Sequence, residues 1–313
     1  MNEKLAWGEI GLVTYCDSAY LQHAATTIHS TLSANDGLFS GVHFVCVGVS
    51  TESFAPIQSF LRSTHGTESQ LLALPQVAIA EMDPGSNYPN VVFLPLFISE
   101  IVPESLNWVL VLASDTLVLR RLDAIEEVIR TTDPFSSNTV IWAVREGDGA
   151  HLRRYGFDSD HYFNSGVYLV NLAAWRKQNI YTRLLEIEKK TRKGRRWADQ
   201  DVLNLAMEGR WEPLPKSYNC GTRDTCDVVH IAHFKGKSKP WMYGCKHPNS
   251  ADYRFLRREI PLSRPSRSGL WAFLYRKLVS WKLRKKWKKI MRRARRKLAA
   301  KFRETNSRNT SES

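Results

Sequence analysis

Glycine-rich phosphate loops are missing from this chain: neither GxGxxG nor GxxxxGK(S/T) occurs. That excludes the two common nucleotide cradles and leaves a metal ion and a lysine as the route to a nucleotide. Long apolar runs are also absent. Without a stretch of about 18 apolar residues, or a basic start followed by an apolar core, neither a membrane span nor secretion is expected. Cysteine is scarce, with five in 313 residues. An odd number spread over a long chain reads as free thiols in a reducing compartment, hence a cytoplasm.

Acidic residues are absent from 271–303, where fifteen Lys and Arg accumulate. The last ten residues carry a net charge of −1, so the overall charge of +14 leaves residues 1–270 neutral. A neutral body supplies no basic groove for nucleic acid, and nucleic-acid binding through the tail alone is the lesser reading.

The body has ordinary globular composition, 43% hydrophobic and 24% charged, enough for one large core or two modest ones. Strand patterns at "IGLVTY", "VHFVCVGV", "QVAIAEM", "WVLVLA", "TVIWAV", "GVYLVN" and "VVHIAHF" alternate with helical patterns at 19–33 and 53–62. This alternation predicts an α/β fold with a mostly parallel sheet. Ligands of such sheets sit beyond the carboxyl ends of the strands. Asp17 and Asp115 both follow strand patterns. The apolar run 109–122 breaks at Ala113-Ser114-Asp115-Thr116 and resumes as Leu117-Val118-Leu119, which is either a solvated turn or a carboxylate presented at a strand end.

Three further segments bear chemistry. "YFNSGVYLVNLAAW" passes from small residues into a strand, with Asn171 placed to cap a long helix. "WADQDVLNLAMEG" opens a helix with Asp199, Gln200 and Asp201 in its first turn, where carboxylates also simply favour the helix dipole. "HIAHFKGKSKPW" sets His230 and His233 before a basic loop containing Gly236 and Lys239, able to place one metal ligand and one ammonium around a diphosphate. Cys220, Cys226, His230 and His233 have spacing unlike common zinc sites. His230 alone reads as a packed strand histidine, and Glu146 as either a donor or acceptor contact or a solvated loop carboxylate.

In these segments the chain resembles the retaining nucleotide-sugar glycosyltransferases of family 8. These include glycogenin-like enzymes and bacterial lipopolysaccharide and lipooligosaccharide α-glucosyl- and α-galactosyltransferases. The likeness runs from about Leu12 to Trp241 and rests on "YFNSGVYLVN", "ADQDVLN" and "HFKGKSKPW" in that order. It implies a GT-A domain over 1–260, with UDP-glucose or UDP-galactose as donor and a glycan or glycolipid acceptor. The cofactor implied is Mn2+ (or Mg2+), held by Asp115 and His233. Ala113 stands where the first carboxylate of the family's Asp-x-Asp belongs, and Pro95 near the position of a donor-binding arginine, so the enzyme implied has a weakened metal site, and a non-catalytic nucleotide-sugar binder is the alternative. Lys239 and Gly236 fall at the diphosphate, Asp17 and Tyr20 at the base and ribose, and Ser114 and Asn164 among the donor contacts. Asp199 and Gln200 are the expected catalytic residues, with Gln200 nearest the anomeric carbon.

Residues 261–269 read as a linker and 304–313 as a disordered tail. Between them, 270–303 sets Trp271, Leu274, Tyr275, Leu278 and Trp281 on one helical face. Leu283, Trp287, Ile290, Met291, Ala294 and Leu298 share another. Basic, aromatic segments of this kind lie on anionic membranes, which predicts peripheral association with the inner face of the cell membrane.

Overall fold

The computed structural model describes residues 10–74, 82, 90–147, 149–158, 161–192, 195–242 and 244–261. The strand expected at 76–82 (Met82 apart), most of the linker, the basic aromatic segment and the tail lie outside these residues. The chain divides into two units: Met1–Trp241 with Cys245–Ser263, which holds every element below, and Met242–Gly244 with Arg264–Ser313.

Strands and helices alternate as the pattern requires. β1 (Ile10–Asp17), α1 (Leu21–Ala34), β2 (Gly41–Val47), α2 (Thr51–His65) and β3 (Ser69–Ala73) come first. A 3₁₀ segment, Asn90–Phe97, runs into a single α turn, Ile98–Ile101. Then come β4 (Trp108–Ala113), β5 (Thr116–Val118), α3 (Asp123–Thr131), β6 (Ile141–Arg145) and β7 (Phe163–Asn171). The described order closes with α4 (Leu172–Lys177), α5 (Ile180–Thr191), α6 (Ala198–Ala206), β8 (Trp211–Pro213), β9 (Ile231–His233) and α7 (Ser250–Leu256). β3 and β8 were not foreseen, since short edge strands with polar ends carry little alternation.

Seven strands form one sheet in the order β3-β2-β1-β4-β7-β6-β8. β7 alone runs against the other six. The reversal has a direct consequence: the start of β7, Phe163-Asn164-Ser165, lies at the same edge as the carboxyl ends of β1, β4 and β6. Alternate strand residues serve opposite faces. Leu12, Trp108 and Leu110 pack toward α1, α2 and α3, while Val13, Val109 and Val111 pack toward the 3₁₀ segment and α4 to α6. Each such buried aliphatic side chain contributes about 1.5–3 kcal/mol.

Two expectations are corrected. Asn171 does cap a helix, accepting from Ala174 N–H at 3.0 Å, but the helix is not long. It stops at Lys177, and Asn179 takes a left-handed φ of 51° before α5 begins, a conformation that Asn tolerates better than most residues. Nor are all five thiols free, because Cys220 and Cys226 form a disulfide with a Cα–Cα distance of 6.6 Å. Six residues apart in one loop, they are neighbours whatever the total count says. Cys16, Cys46 and Cys245 are free.

Candidate active site

Asp115 sits in the two-residue turn between β4 and β5. β5 leaves the main sheet and pairs antiparallel with β9, setting Thr116 opposite His233. Side chains of α1 secure this ribbon: Thr27 Oγ1 donates to Thr116 O at 2.8 Å, and Val118 N–H donates to Ser30 Oγ at 3.1 Å. The polar residues buried in α1 thereby satisfy backbone groups that a two-stranded ribbon leaves unpaired. The result is that Asp115 Oδ1 lies 3.4 Å from His233 Nε2. Asp115 Oδ2 is paired with the Lys239 ammonium, which also donates to Phe234 O at 2.8 Å.

Burial by itself raises the Asp115 carboxyl, but His233 and Lys239 outweigh it and hold the group well below the usual carboxylate range. His233 is 7% exposed. Its ring packs against Gly166 of β7, where a Cβ would come within 2.2 Å of His233 Cε1. Glycine is required at 166 by this contact.

A second group of residues meets beside the first. Asn164 Nδ2 donates to Gln200 Oε1 at 3.0 Å and to Glu146 Oε2 at 2.5 Å. Ser165 Oγ donates to Asp199 Oδ2 at 2.9 Å. Gln200 Nε2 donates to Tyr162 Oη at 2.9 Å, and that hydroxyl donates to Asp201 Oδ1 at 2.7 Å. Asp201 also takes the N–H groups of Arg196 and Trp197, which lead into α6, and a bond from His151, so it anchors the start of α6 and is not an exposed dipole partner. Burial pushes Asp199 up to about 6, against hydrogen bonds from Ser165 and from the backbone at the helix start. Tyr15, partly buried on β1, has its pKa raised by desolvation and, among other charges, by those of Asp199 and Asp115.

The remaining expected residues lie around this edge with distinct local roles. Asp17 Oδ1 accepts from Tyr20 N–H at 3.0 Å, an Asx turn into α1. Tyr20 is 37% exposed and packs edge-on to Trp241 with 5.5 Å between centroids. Ser114 is buried in the β4–β5 turn. Gly236 takes a φ of 77° in the basic loop with no atom near a Cβ position, so conformation alone calls for glycine there. Glu146 is no solvated loop residue: Lys235 approaches it at 3.4 Å and Asn164 binds its other oxygen. His230 stacks on Tyr218 at 4.7 Å, and the disulfide removes Cys220 and Cys226 from any zinc set. Pro95 is buried in the 3₁₀ segment. Arg195 does reach that segment, 5.2 Å over the Phe93 ring, while pairing with Glu188 at 3.1 Å.

Sequence reasoning missed Asn219, Gly166, Ser165 and Tyr162. Asn219 is fully buried and joins the two groups, with Oδ1 2.8 Å from His233 Nδ1 and Nδ2 2.8 Å from Asn164 Oδ1. The four fall inside segments already singled out or beside Cys220, yet small or neutral residues advertise no chemistry. A cavity of about 160 Å³ lined by Ser40, His43, Glu68, Gln70 and Leu106 opens at the amino ends of the parallel strands, away from this cluster.

The profile of glycosyl transferase family 8 matches residues 12–245. The chain belongs to family 8. A probable glycosyl transferase Gly of Streptococcus gordonii is 31% identical over 159 residues, covering 48% of this chain and 21% of that protein. A lipopolysaccharide 1,2-glucosyltransferase of Escherichia coli is 32% identical over 109 residues, 29% of this chain and 32% of its own length. The chain thus spans about a third or less of these two relatives. Among solved structures, the galactosyltransferase LgtC, crystallised with donor and acceptor sugar analogues, superposes with a TM-score of 0.72 at 20% identity. The match covers 83% of this chain and 99% of that one. The fold is therefore GT-A.

Family 8 enzymes of this fold typically use a divalent cation. Among the described residues no three His, Cys, Asp or Glu side chains gather to hold one. Asp115 and His233 nevertheless suit such an ion: the Nδ1 bond to Asn219 leaves Nε2 facing the carboxylate. Ions recruited together with phosphate substrates commonly take only one or two protein ligands.

Proposed function

We propose that this family 8 protein transfers glucose or galactose from a UDP-sugar, with retention at the anomeric carbon, to a glycan or glycolipid such as a lipopolysaccharide core. The observation that carries the reading is the meeting of Asp115, His233 and Lys239 beside Gln200, although they come from three distant stretches of chain. Departure of UDP takes the C1–O electron pair onto the diphosphate. The acceptor hydroxyl forms the new C1–O bond, and its proton passes to the departing phosphate oxygen. A bound divalent cation, Mn2+ in this reading, stabilises the negative charge developing on that diphosphate. Lys239 adds an ammonium, and Asp115 and His233 would hold the ion. Gln200 and Asp199 face the sugar, Asn164 and Ser114 contact the donor, Gly236 lets the loop close on the diphosphate, and Asp17 and Tyr20 flank the nucleoside.

Attack from the face the diphosphate leaves is favoured. Gln200 Oε1 already accepts from Asn164 Nδ2 and Ser165 N–H, and an amide oxygen so engaged is a poor nucleophile. The test is hydrolysis of a panel of UDP-sugars with Mn2+. Release of UDP from one hexose donor, lost in Asp115→Ala and His233→Ala, is the expected result. UDP binding without release by the wild type would favour the second reading, a non-catalytic binder, for which Ala113 speaks.

The basic aromatic segment 270–303 supports placement on the inner face of the cell membrane, the side that supplies UDP-sugars. No helix among the described residues is long and apolar enough to cross a membrane. Co-sedimentation with anionic vesicles should fall when residues 265–313 are removed. Equal sedimentation of both forms would refute membrane association.

A further inference from the structure

Two backbone N–H groups of β7 set the direction of every side-chain amide in the site. Gly166 N–H donates to Asn164 Oδ1 at 2.9 Å, and Ser165 N–H donates to Gln200 Oε1 at 3.1 Å. A backbone N–H only donates, so both side-chain atoms are oxygens. Asn164 must then turn Nδ2 toward Glu146 and Gln200, which are acceptors, as observed. Since Asn164 Oδ1 accepts, Asn219 must present Nδ2 to it and Oδ1 to His233 Nδ1. His233 Nδ1 must therefore carry a proton in either charge state, and Nε2, the atom 3.4 Å from Asp115 Oδ1, is left to share a proton with that carboxylate or, in the neutral ring, to keep its lone pair. In that neutral ring two electron-pair donors converge, an arrangement complementary to a cation.

We infer that Asn219 is a positioning residue that sets the tautomer of His233 and ties this ring to the Asn164–Gln200 amide pair. The inference rests on the reading of Asp115 and His233 as the ligands of the cation. Asn219 makes both bonds at once while fully buried, so no water substitutes for it at either end. Metal-binding histidines are commonly fixed through their second nitrogen, and loss of that partner costs about 10–100-fold in metal affinity.

Long-range ¹⁵N–¹H correlation on the full chain, with histidine labelled and no metal added, reads the tautomer of neutral His233. The Nδ1–H form is expected, and the Nε2–H form overturns the inference without any variant. Asn219→Asp keeps an acceptor for His233 and loses the donor to Asn164; Asn219→Leu loses both. With UDP present, Mn2+ affinity should fall about 10–100-fold in Asn219→Leu and stay within a few-fold of wild type in Asn219→Asp. Wild-type affinity in Asn219→Leu, or an equal fall in both variants, also overturns it. If Asn219→Leu does not fold, the tautomer of the wild type decides. An Nδ1–H ring in a wild type that binds no Mn2+ would instead refute Asp115 and His233 as ligands and leave the role of Asn219 in setting the ring supported.

Discussion

Asp115 and Asp199 stand at the same edge of one sheet, both raise the pKa of the partly buried Tyr15, and themselves move in opposite directions. Asp115, in the β4–β5 turn, is pressed by burial toward the neutral form but held ionised by His233 and Lys239. Asp199, in the first turn of α6, has no cation beside it among its main influences, and burial raises it to about 6. The difference lies in the partners. One carboxylate is held as an anion, which complements a cation. The other takes up its proton near pH 6 and has hydrogen-bond donors rather than cations as its main partners.

The sharpest way to break this comparison is to neutralise the ionised member. Asp115→Asn keeps the shape, removes the charge and should lower UDP-sugar turnover by about 10²–10³-fold or more at saturating Mn2+. Steady-state kinetics that show wild-type turnover would remove Asp115 from the reaction. The opposite member is best tested by pH. With a folded pKa of about 6 against 3.8 in the unfolded chain, native Asp199 holds its proton more tightly than the unfolded state does. Its stability contribution is then present at pH 4 and is lost as pH rises through 6, about 3 kcal/mol in all. Asn at 199 should cancel this slope and leave the variant more stable than wild type at pH 7.5. Denaturant titrations at both ends of the range would expose an unchanged slope.

A smaller effect follows from the ring that Asp115 faces. Ala at 166 would overlap His233, so Gly166→Ala should cost roughly 1–3 kcal/mol of stability by overpacking and loosen Mn2+ binding about tenfold or more. Calorimetry that finds both unchanged would mean the ring does not need its present place. The mildest change adds a second carboxylate to the ionised side. Ala113→Asp should tighten Mn2+ binding by about tenfold, and a weaker site after this substitution would show that position 113 does not face the ion.

Much of this architecture was readable in advance. The apolar runs that became β1, β2, β4, β6 and β7, and the cap at Asn171, follow from alternation and capping chemistry that act over a few residues. The first turn of α6 was readable as a helix start, yet its Asp201 proved to be a buried anchor for Arg196 N–H, Trp197 N–H and Tyr162. The Cys220–Cys226 bond escaped an argument built on the total number of thiols. Glu146 was legible as one of two alternatives, and its bonds to Lys235 and Asn164 remove the solvated one.

The residue pattern alone determined the central strands and the first helices, that residues 1–270 are neutral, and which charged groups deserved attention, because periodicity and charge are local properties of a chain. Only the tertiary structure decided that β7 runs backwards, that β5 turns aside to meet β9, and that Asn219 links His233 to Asn164. Those facts depend on strand direction and on hydrogen-bond polarity between groups tens of residues apart, where one backbone N–H sets the orientation of each amide after it.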